Sequence, residues 1–412
     1  MKKSTETAVR YAVALCAVGA EKAVSNEIKK LGLTVADSGF GRVRFQADTT
    51  GLYRALLGLR TADRVLLEAG LFPAADFDAL FEGTLAVPWE SLVPAQLGLK
   101  VAKVRANRSQ LKAATSVQAM VHKAAAQRLC TSSGLARLPE TAAAAELRVY
   151  IEKDTVSLLL DLSGEPLFKR GYRKEGGVAP LRETTAAAML LLSGWKRKYP
   201  LYDPFCGSGT ILAEALMYAW DLAPGLGRRF AIENLLIADK NIEQALREEF
   251  RGKINLGRRI RIAGSDADEQ SAAIASANLR RTLALGQSSH EKRQTEAPPV
   301  AMPEVTALSL NAARSPFDAD GDAGDAAKDA ANDEPAGFIV TNPPYGKRLG
   351  SPEASEQTYR EMGVLARRFP GWKLAVITDH PGFESFFGKK AHSCREITGG
   401  PIPSYIFQYD KL

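Results

Sequence analysis

The sequence predicts an α/β chain in two parts: an α+β N-terminal part, then a part built on a mostly parallel sheet. Three observations carry this. From about residue 166, strand-like and helix-like segments alternate, as in a parallel sheet covered by helices. Before that point strands and helices mix without regular alternation. At the end, "SCREITGGPIPSYIFQYD" reads as two strands about a Gly-Gly-Pro turn, which places an antiparallel pair at one sheet edge.

Taken in order, "RYAVALCAV" reads as a buried strand and "EKAVSNEIKKLG" as the helix that follows. The opening "MKKSTETAVRYAVALCAVGA" imitates a secretory leader, but Glu6 and Arg10 interrupt the basic-then-apolar pattern. "GFGRVRFQA" alternates like a half-buried strand. "TTGLYRALLGLR" and "DFDALFEGTLA" read as helices, and "ELRVYIEKDTVSLLLDLSG" as a hairpin turning at Lys153-Asp154. In the second part the strands are "YPLYDPF", "RIRIAGSD", "EVTALSL", "GFIVTN" and "WKLAVIT". The helices are "TILAEALMYAW", "EQSAAIASANLRRTL" and "ASEQTYREMGVLARRF". Residues 286–303 (polar, Pro-rich) and 317–336 (acidic, low complexity) are expected to be solvated loops. Within the second, "DADGDAGD" has the aspartate spacing of a calcium loop but lacks its closing glutamate.

A chain of 412 residues has room for two or three domains. Its four cysteines are far apart and its four histidines lack ligand spacing, so neither a disulfide framework nor a metal site is expected. No apolar run approaches the ~20 residues of a membrane span. A cytoplasmic, metal-free monomer is the expectation. The net charge of +7 is unevenly spread: residues 91–139 hold eight cations and no acid. Solvated faces mix signs, so this stretch reads as a surface for a polyanion, with Lys103, Arg105, Arg108, Lys112 and Lys123 as candidates. "KRGYRK" (169–174) either continues that track or is a solvated linker.

Three motifs fall at strand ends in the second part. "DPFCGSGT" (203–210) joins a strand to a helix; Gly207 and Gly209 permit unusual backbone conformations and the helix start offers free N–H groups. A plain strand–helix turn would look similar, but Asp203 suits a ligand with a cationic head. "GSDAD" (264–268) puts Asp266 on the same sheet edge, where an acid commonly takes two ribose hydroxyls. "NPPY" (342–345) follows "GFIV". Pro343 and Pro344 fix φ and offer no N–H, leaving the Asn342 side-chain oxygen and the Pro343 carbonyl as fixed acceptors. Two acceptors fit an exocyclic amine on a planar base, and Tyr345 can stack on that base. Holding both N–H groups turns the nitrogen lone pair out of conjugation and aims it at a methyl donor.

These motifs, in this order, resemble the class I S-adenosylmethionine (SAM)-dependent amino-methyltransferases. With "PLRET", "FESFFGKKA" and "LRTADRVLLE" the chain is most similar to THUMP-domain RNA guanine-N2 methyltransferases, bacterial large-subunit ribosomal RNA branch. The resemblance implies a ferredoxin-like domain over 1–65, a THUMP RNA-binding domain over 66–165 and a Rossmann-like methyltransferase domain over 166–412. It implies that Asp203, Phe205, Gly207, Ser208, Gly209, Asp266, Ala267 and Asn342 hold SAM, with Arg182 to Thr184 at its methionine end. Asn342, Pro343, Pro344 and Tyr345 would hold the target guanine of the rRNA or its assembly intermediate. A tRNA guanine, a DNA adenine, or a non-catalytic assembly role are the competing readings. One departure stands out: the family's adenine-binding Asp is replaced by Asn311, which still accepts but without charge. Asn311→Asp is expected to tighten SAM binding in calorimetric titration; unchanged affinity would remove Asn311 from the adenine contact.

Overall fold

The computed structural model describes residues 9–139, 144–174, 181–290, 300–317, 334–344, 352–399 and 403–412. Strict burial alternation sets the N-terminal sheet: every second residue of β3 (Arg42–Ala47) and β6 (Ala145–Glu152) is buried. With β1 (Arg10–Leu15), β2 (Thr34–Gly39), β4 (Arg64–Pro73), β5 (Leu99–Asn107) and β7 (Thr155–Asp161) they form one sheet, ordered β2-β3-β1-β4-β7-β6-β5. Helices α1 (Glu21–Lys30), α2 (Thr49–Gly58), α3 (Phe77–Ala86) and α4 (Ala114–Ser133) pack against it. The β6–β7 hairpin turns at Lys153-Asp154, both at positive φ, as the sequence indicates. The expected boundary at 65/66 falls inside β4, which pairs with both β1 and β7, so the residues on either side of it share one sheet.

The second sheet is ordered β10-β9-β8-β11-β12-β14-β13. Its strands are β8 (Leu201–Asp203), β9 (Ile262–Asp266), β10 (Glu304–Ala307), β11 (Phe338–Thr341), β12 (Lys373–Thr378), β13 (Ser393–Ile397) and β14 (Ser404–Tyr409). The first five are parallel, and β13 and β14 supply the expected antiparallel edge. The helices are α5 (Glu183–Leu192), α6 (Thr210–Ala219), α7 (Lys240–Gly252), α8 (Glu269–His290), α9 (Pro352–Arg368) and α10 (Phe383–Phe387). The chain runs outward from β8 through β9 to β10, then returns to β11 on the other side of β8. Such a reversal opens a crevice at the carboxyl ends of the two central strands.

Helix α8 corrects one expectation. It runs to His290, so residues 286–290 are helical rather than loop. The reason is tertiary: a buried Gly286 sits against Leu256 and Leu222. The calcium-like "DADGDAGD" lies outside the described residues.

A second correction concerns "KRGYRK". It is not a solvated linker throughout, although Lys169 and Lys174 at its two ends are exposed. Arg170 is 4% exposed and Tyr172 fully buried, in the seam between the two sheets. Arg170 Nε donates to Glu214 Oε1 of α6 at 3.3 Å, and its Nη2 donates to the Arg60 carbonyl of the N-terminal part. Tyr172 Oη donates to the same Glu214 oxygen at 3.1 Å. Arg173 Nη2 donates to Thr210 Oγ1 at the start of α6, at 2.7 Å. Arg60 reaches across the seam to the Leu222 carbonyl (2.7 Å), and a backbone bridge pairs Val18 with Thr398. Leaving one buried charge uncompensated costs about 3–5 kcal/mol. Arg170→Met is expected to lower unfolding free energy by that amount in urea titration, and Arg170→Met with Glu214→Leu to recover part of it. Additive losses in the double variant would contradict the pairing.

Candidate active site at the carboxyl edge of the sheet

Asp203 closes β8 and is 1% exposed. Its Oδ1 accepts from Thr341 Oγ1 of β11 at 2.6 Å and from the Phe205 amide at 3.1 Å, locking the two central strands together. Burial raises its pKa from the ordinary 3.8 to about 7; the two hydrogen bonds pull downward and Asp266 adds to the rise. After it, Gly207 (φ +52°) and Gly209 (φ +76°) bend the chain into α6. A Cβ at Gly209 would meet Ala275 of α8 at 2.9 Å, so that position needs glycine for space as well as for φ. Asn278 of α8 donates to the Ser208 carbonyl at 2.9 Å and fixes the turn from behind.

Asp266, at the end of β9, accepts from the Gly207 amide (2.9 Å) with one oxygen and from the Asp268 amide (3.0 Å) with the other. Each oxygen keeps a lone pair for a ligand. Asp268 is held below the ordinary aspartate range by the side-chain and backbone hydrogen bonds of Ser271, and so stays charged at the start of α8. Asn342 follows β11 and is 8% exposed; among the described residues its Oδ1 has no hydrogen-bond partner. A buried, unsatisfied acceptor costs about 1–3 kcal/mol, so this oxygen is open to a further donor.

One cavity of about 600 Å³ joins these groups. Asp203, Phe205, Gly207, Ser208, Asp266, Ala267, Asn311, Asn342 and Pro344 all line it. Gly209 and Pro343 do not line it, and Tyr345 lies outside the described residues. Arg182 to Thr184 do not line it either; only the preceding Leu181 does. Thr184 donates to Asp63 at 2.6 Å and Arg182 pairs with the same aspartate, so this segment ties the two parts together. The lining also includes Thr358 and Glu361 of α9, which no motif marks in the sequence. A larger cavity of about 1440 Å³ lies between α4 and β5, remote from all three motifs, so chemistry rather than size selects the site.

The polyanion candidates divide. Lys103 and Arg105 lie on one face of β5, in a groove toward the second sheet. Arg108 and Lys112 border a small cleft beside Asp154. Lys123 is on α4, over the Phe81 ring, at the large cavity. Arg128 pairs with Glu90, the acid just before the acid-free stretch. Among the described residues no group of three or more His, Cys, Asp or Glu could hold a metal, and no helix is long and apolar enough to cross a membrane.

Residues 170–299 and 311–405 match the model of the RMKL-like methyltransferase domain. The chain belongs to the RMKL-like methyltransferase family. Residues 12–66 match the RlmL ferredoxin-like domain, which gives the N-terminal part its fold. A Bacillus subtilis protein named "Putative RNA methyltransferase YpsC" is 33% identical over 96% of this chain and 95% of its own. "Ribosomal RNA large subunit methyltransferase K/L" of Syntrophotalea carbinolica is 31% identical; this chain aligns over 95% of its length but spans only 52% of that protein. Among solved structures, a "predicted N6-adenine-specific DNA methylase" from Listeria monocytogenes is 35% identical with TM-score 0.82, covering 98% of this chain and 96% of that one. SMU.472, crystallised with S-adenosylhomocysteine, is 30% identical with TM-score 0.82 and covers 98% of both chains. The ferredoxin-like start and the class I methyltransferase fold expected from the sequence therefore hold for this RMKL-like protein.

The raised Asp203 pKa has a measurable consequence. Between pH 3.8 and about 7 the folded chain binds this proton more tightly than the unfolded one, so stability declines as pH rises through that window. The loss is about 4 kcal/mol at 1.36 kcal/mol per pKa unit. Asp203→Asn keeps the acceptor for Thr341 and cannot ionise. Its urea-unfolding free energy is expected to fall less than the wild type's from about pH 4 to about pH 7. Parallel profiles would contradict the assignment.

Proposed function

We propose that this chain transfers a methyl group from SAM to the exocyclic N2 amine of a guanine in large-subunit ribosomal RNA, either free or in an assembly intermediate. The observation that carries the reading is the buried Asn342 Oδ1, unpartnered among the described residues, in the same cavity as Asp203 and Asp266. The residues fit the cofactor. The Asp266 oxygens have lone pairs for the ribose hydroxyls, the open Gly207–Ser208 turn lets a ligand approach the backbone, and Asn311 can accept from the adenine amine. A protonated Asp203 would ionise beside a cationic ligand and favour it. SAM supplies the electrophilic methyl carbon.

The chain's own work is alignment. Asn342 Oδ1 and the carbonyl of Pro343, whose φ is fixed, accept the two amine hydrogens. Both hydrogen bonds take the nitrogen lone pair out of conjugation with the ring and aim it at the methyl carbon. Tyr345 would stack on the base. The amine proton becomes acidic only once the nitrogen is alkylated, so no strong base is required beforehand. The N-terminal part, including the proposed THUMP unit, supplies RNA contacts through Lys103, Arg105, Arg108, Lys112 and Lys123. The large-subunit target draws support from the name of the K/L relative and the RlmL ferredoxin-like match.

Asn342→Ala removes one of two aligning acceptors. Methyl transfer from labelled SAM to large-subunit rRNA is expected to fall on the order of 10²-fold, with SAM binding far less affected. Nucleoside analysis of the wild-type product should give N2-methylguanosine. Methyl groups found only in tRNA would move the substrate, and methyladenine in DNA would replace it. SAM binding without transfer to any naked nucleic acid would direct the assay to assembly intermediates.

A further inference from the structure

The groove that holds Lys103 and Arg105 has a second, independent peculiarity. The β2–β3 hairpin turns through two residues, Phe40 and Gly41, at φ +40° and +76°. A two-residue turn with both φ positive is the type I′ geometry, where Asn-Gly is strongly preferred. A bulky aromatic at the first position is strained, and this one is also 93% exposed. Folding gains nothing from either property. Residues kept in such conformations without a packing benefit point to use by a ligand. The tip is also held in place. Gly41 N donates to Glu21 Oε1 at 2.7 Å, Gly41 O accepts from Cys16 N at 2.8 Å, and Gly19 N donates to the other Glu21 oxygen at 2.8 Å.

Phe40 stands at a groove of about 610 Å³ between the two sheets, whose walls also carry Tyr150 and Phe168. Six cations line it (Arg42, Arg64, Lys103, Arg105, Arg148 and Arg182) against two acids, Asp63 and Glu152. Arg64 and Arg148 are paired with buried Asp161, and Arg182 with Asp63. The side chains of Arg42, Lys103 and Arg105 have no partner among the described residues. Burial, then the neighbouring Arg105, Arg148 and Arg64, pull the Lys103 pKa below its ordinary value. Like charges crowded at this density call for a polyanion. The groove also ends beside the cavity: Leu181 lines the cavity and the next residue, Arg182, lines the groove.

We propose that this groove is the track for an unpaired RNA strand leading to the active site, with Phe40 stacked on one base and Arg42, Lys103 and Arg105 on the phosphates. The proposal rests on the RNA reading above. Single-stranded RNA is favoured over duplex because a duplex keeps its base faces stacked internally and leaves none for Phe40. Exposed aromatics interleaved with cations are the pattern of single-strand binding.

The test uses the full chain and a fluorescent mixed-sequence single-stranded RNA, with the matching duplex as competitor. Wild type should prefer the single strand. Phe40→Asn should weaken it by about 5-fold or more, the lower bound of a lost base–aromatic stack. The same variant should match or exceed wild type in thermal unfolding midpoint, because Asn suits the turn. Phe40→Trp should keep the affinity, and Lys103→Ala with Arg105→Ala should flatten its salt dependence. Equal affinity in wild type and Phe40→Asn, or preference for duplex, would overturn the groove assignment alone. A wild type that binds neither RNA would overturn the RNA reading with it.

Discussion

The structure depends on one buried ion pair, Arg170 with Glu214. Both side chains are essentially inaccessible, at 1% and 0% exposure, and a buried charge is tolerable only when its partner is in place. Arg170 comes from the segment between the two parts, and Glu214 lies one turn into α6, the helix that starts at the Gly207–Gly209 turn. The guanidinium also binds the Arg60 carbonyl of the N-terminal part, so one residue fixes the orientation of that part, the linker and α6 together. Arg173 extends the grip to Thr210, which lines the cavity. Moving the N-terminal part as a rigid body would break the bond from Arg170 to the Arg60 carbonyl, beside that ion pair. The domains are therefore held in one register, and the distance from groove to cavity is set in the fold.

The second constraint is the strand reversal at β8. It brings the ends of β8, β9 and β11 together although Asp203, Asp266 and Asn342 are far apart in sequence. The Asp203–Thr341 bond closes the crevice floor, and the Asp266–Gly207 bond ties the second acid to the first turn. Neither bond contacts the proposed substrate. On the proposed reading both fix the acids that hold the cofactor, and the first also anchors the strand that ends in Asn342.

Much of this was legible in the sequence where local chemistry decides it. Glycines and prolines at strand ends announce the three motifs, and the Lys153-Asp154 turn and the edge pair β13–β14 follow from alternation and turn residues. Legibility fails where tertiary contacts decide. Strand β4 has a bulge between Glu68 and Gly70, and β5 one between Val101 and Lys103, so their two-residue period is broken. Arg170 and Arg173 look like solvent-seeking cations until Glu214 and Thr210 arrive from more than thirty residues away. Thr358 and Glu361 reach the cavity from a helix with no motif. The strain at Phe40 is a backbone property that its neighbours in sequence do not reveal.

Charge is sorted across the boundary at Leu181 and Arg182. The cavity side carries Asp203, Asp266, Asp268 and Glu361; the groove side carries the cation cluster. On the proposed reading this sorting has mechanical content. A sulfonium cofactor is drawn to the acidic side and an RNA backbone is repelled from it. Phosphates therefore stay on the groove side, and only an uncharged base can cross to Asn342. A base held within a duplex has to leave its stack before it can reach Asn342. Swinging the base out of its stack would cost a few kcal/mol, least where the strand is already unpaired. The charge pattern thus selects the same class of substrate as the exposed ring of Phe40, by an argument that does not use the ring.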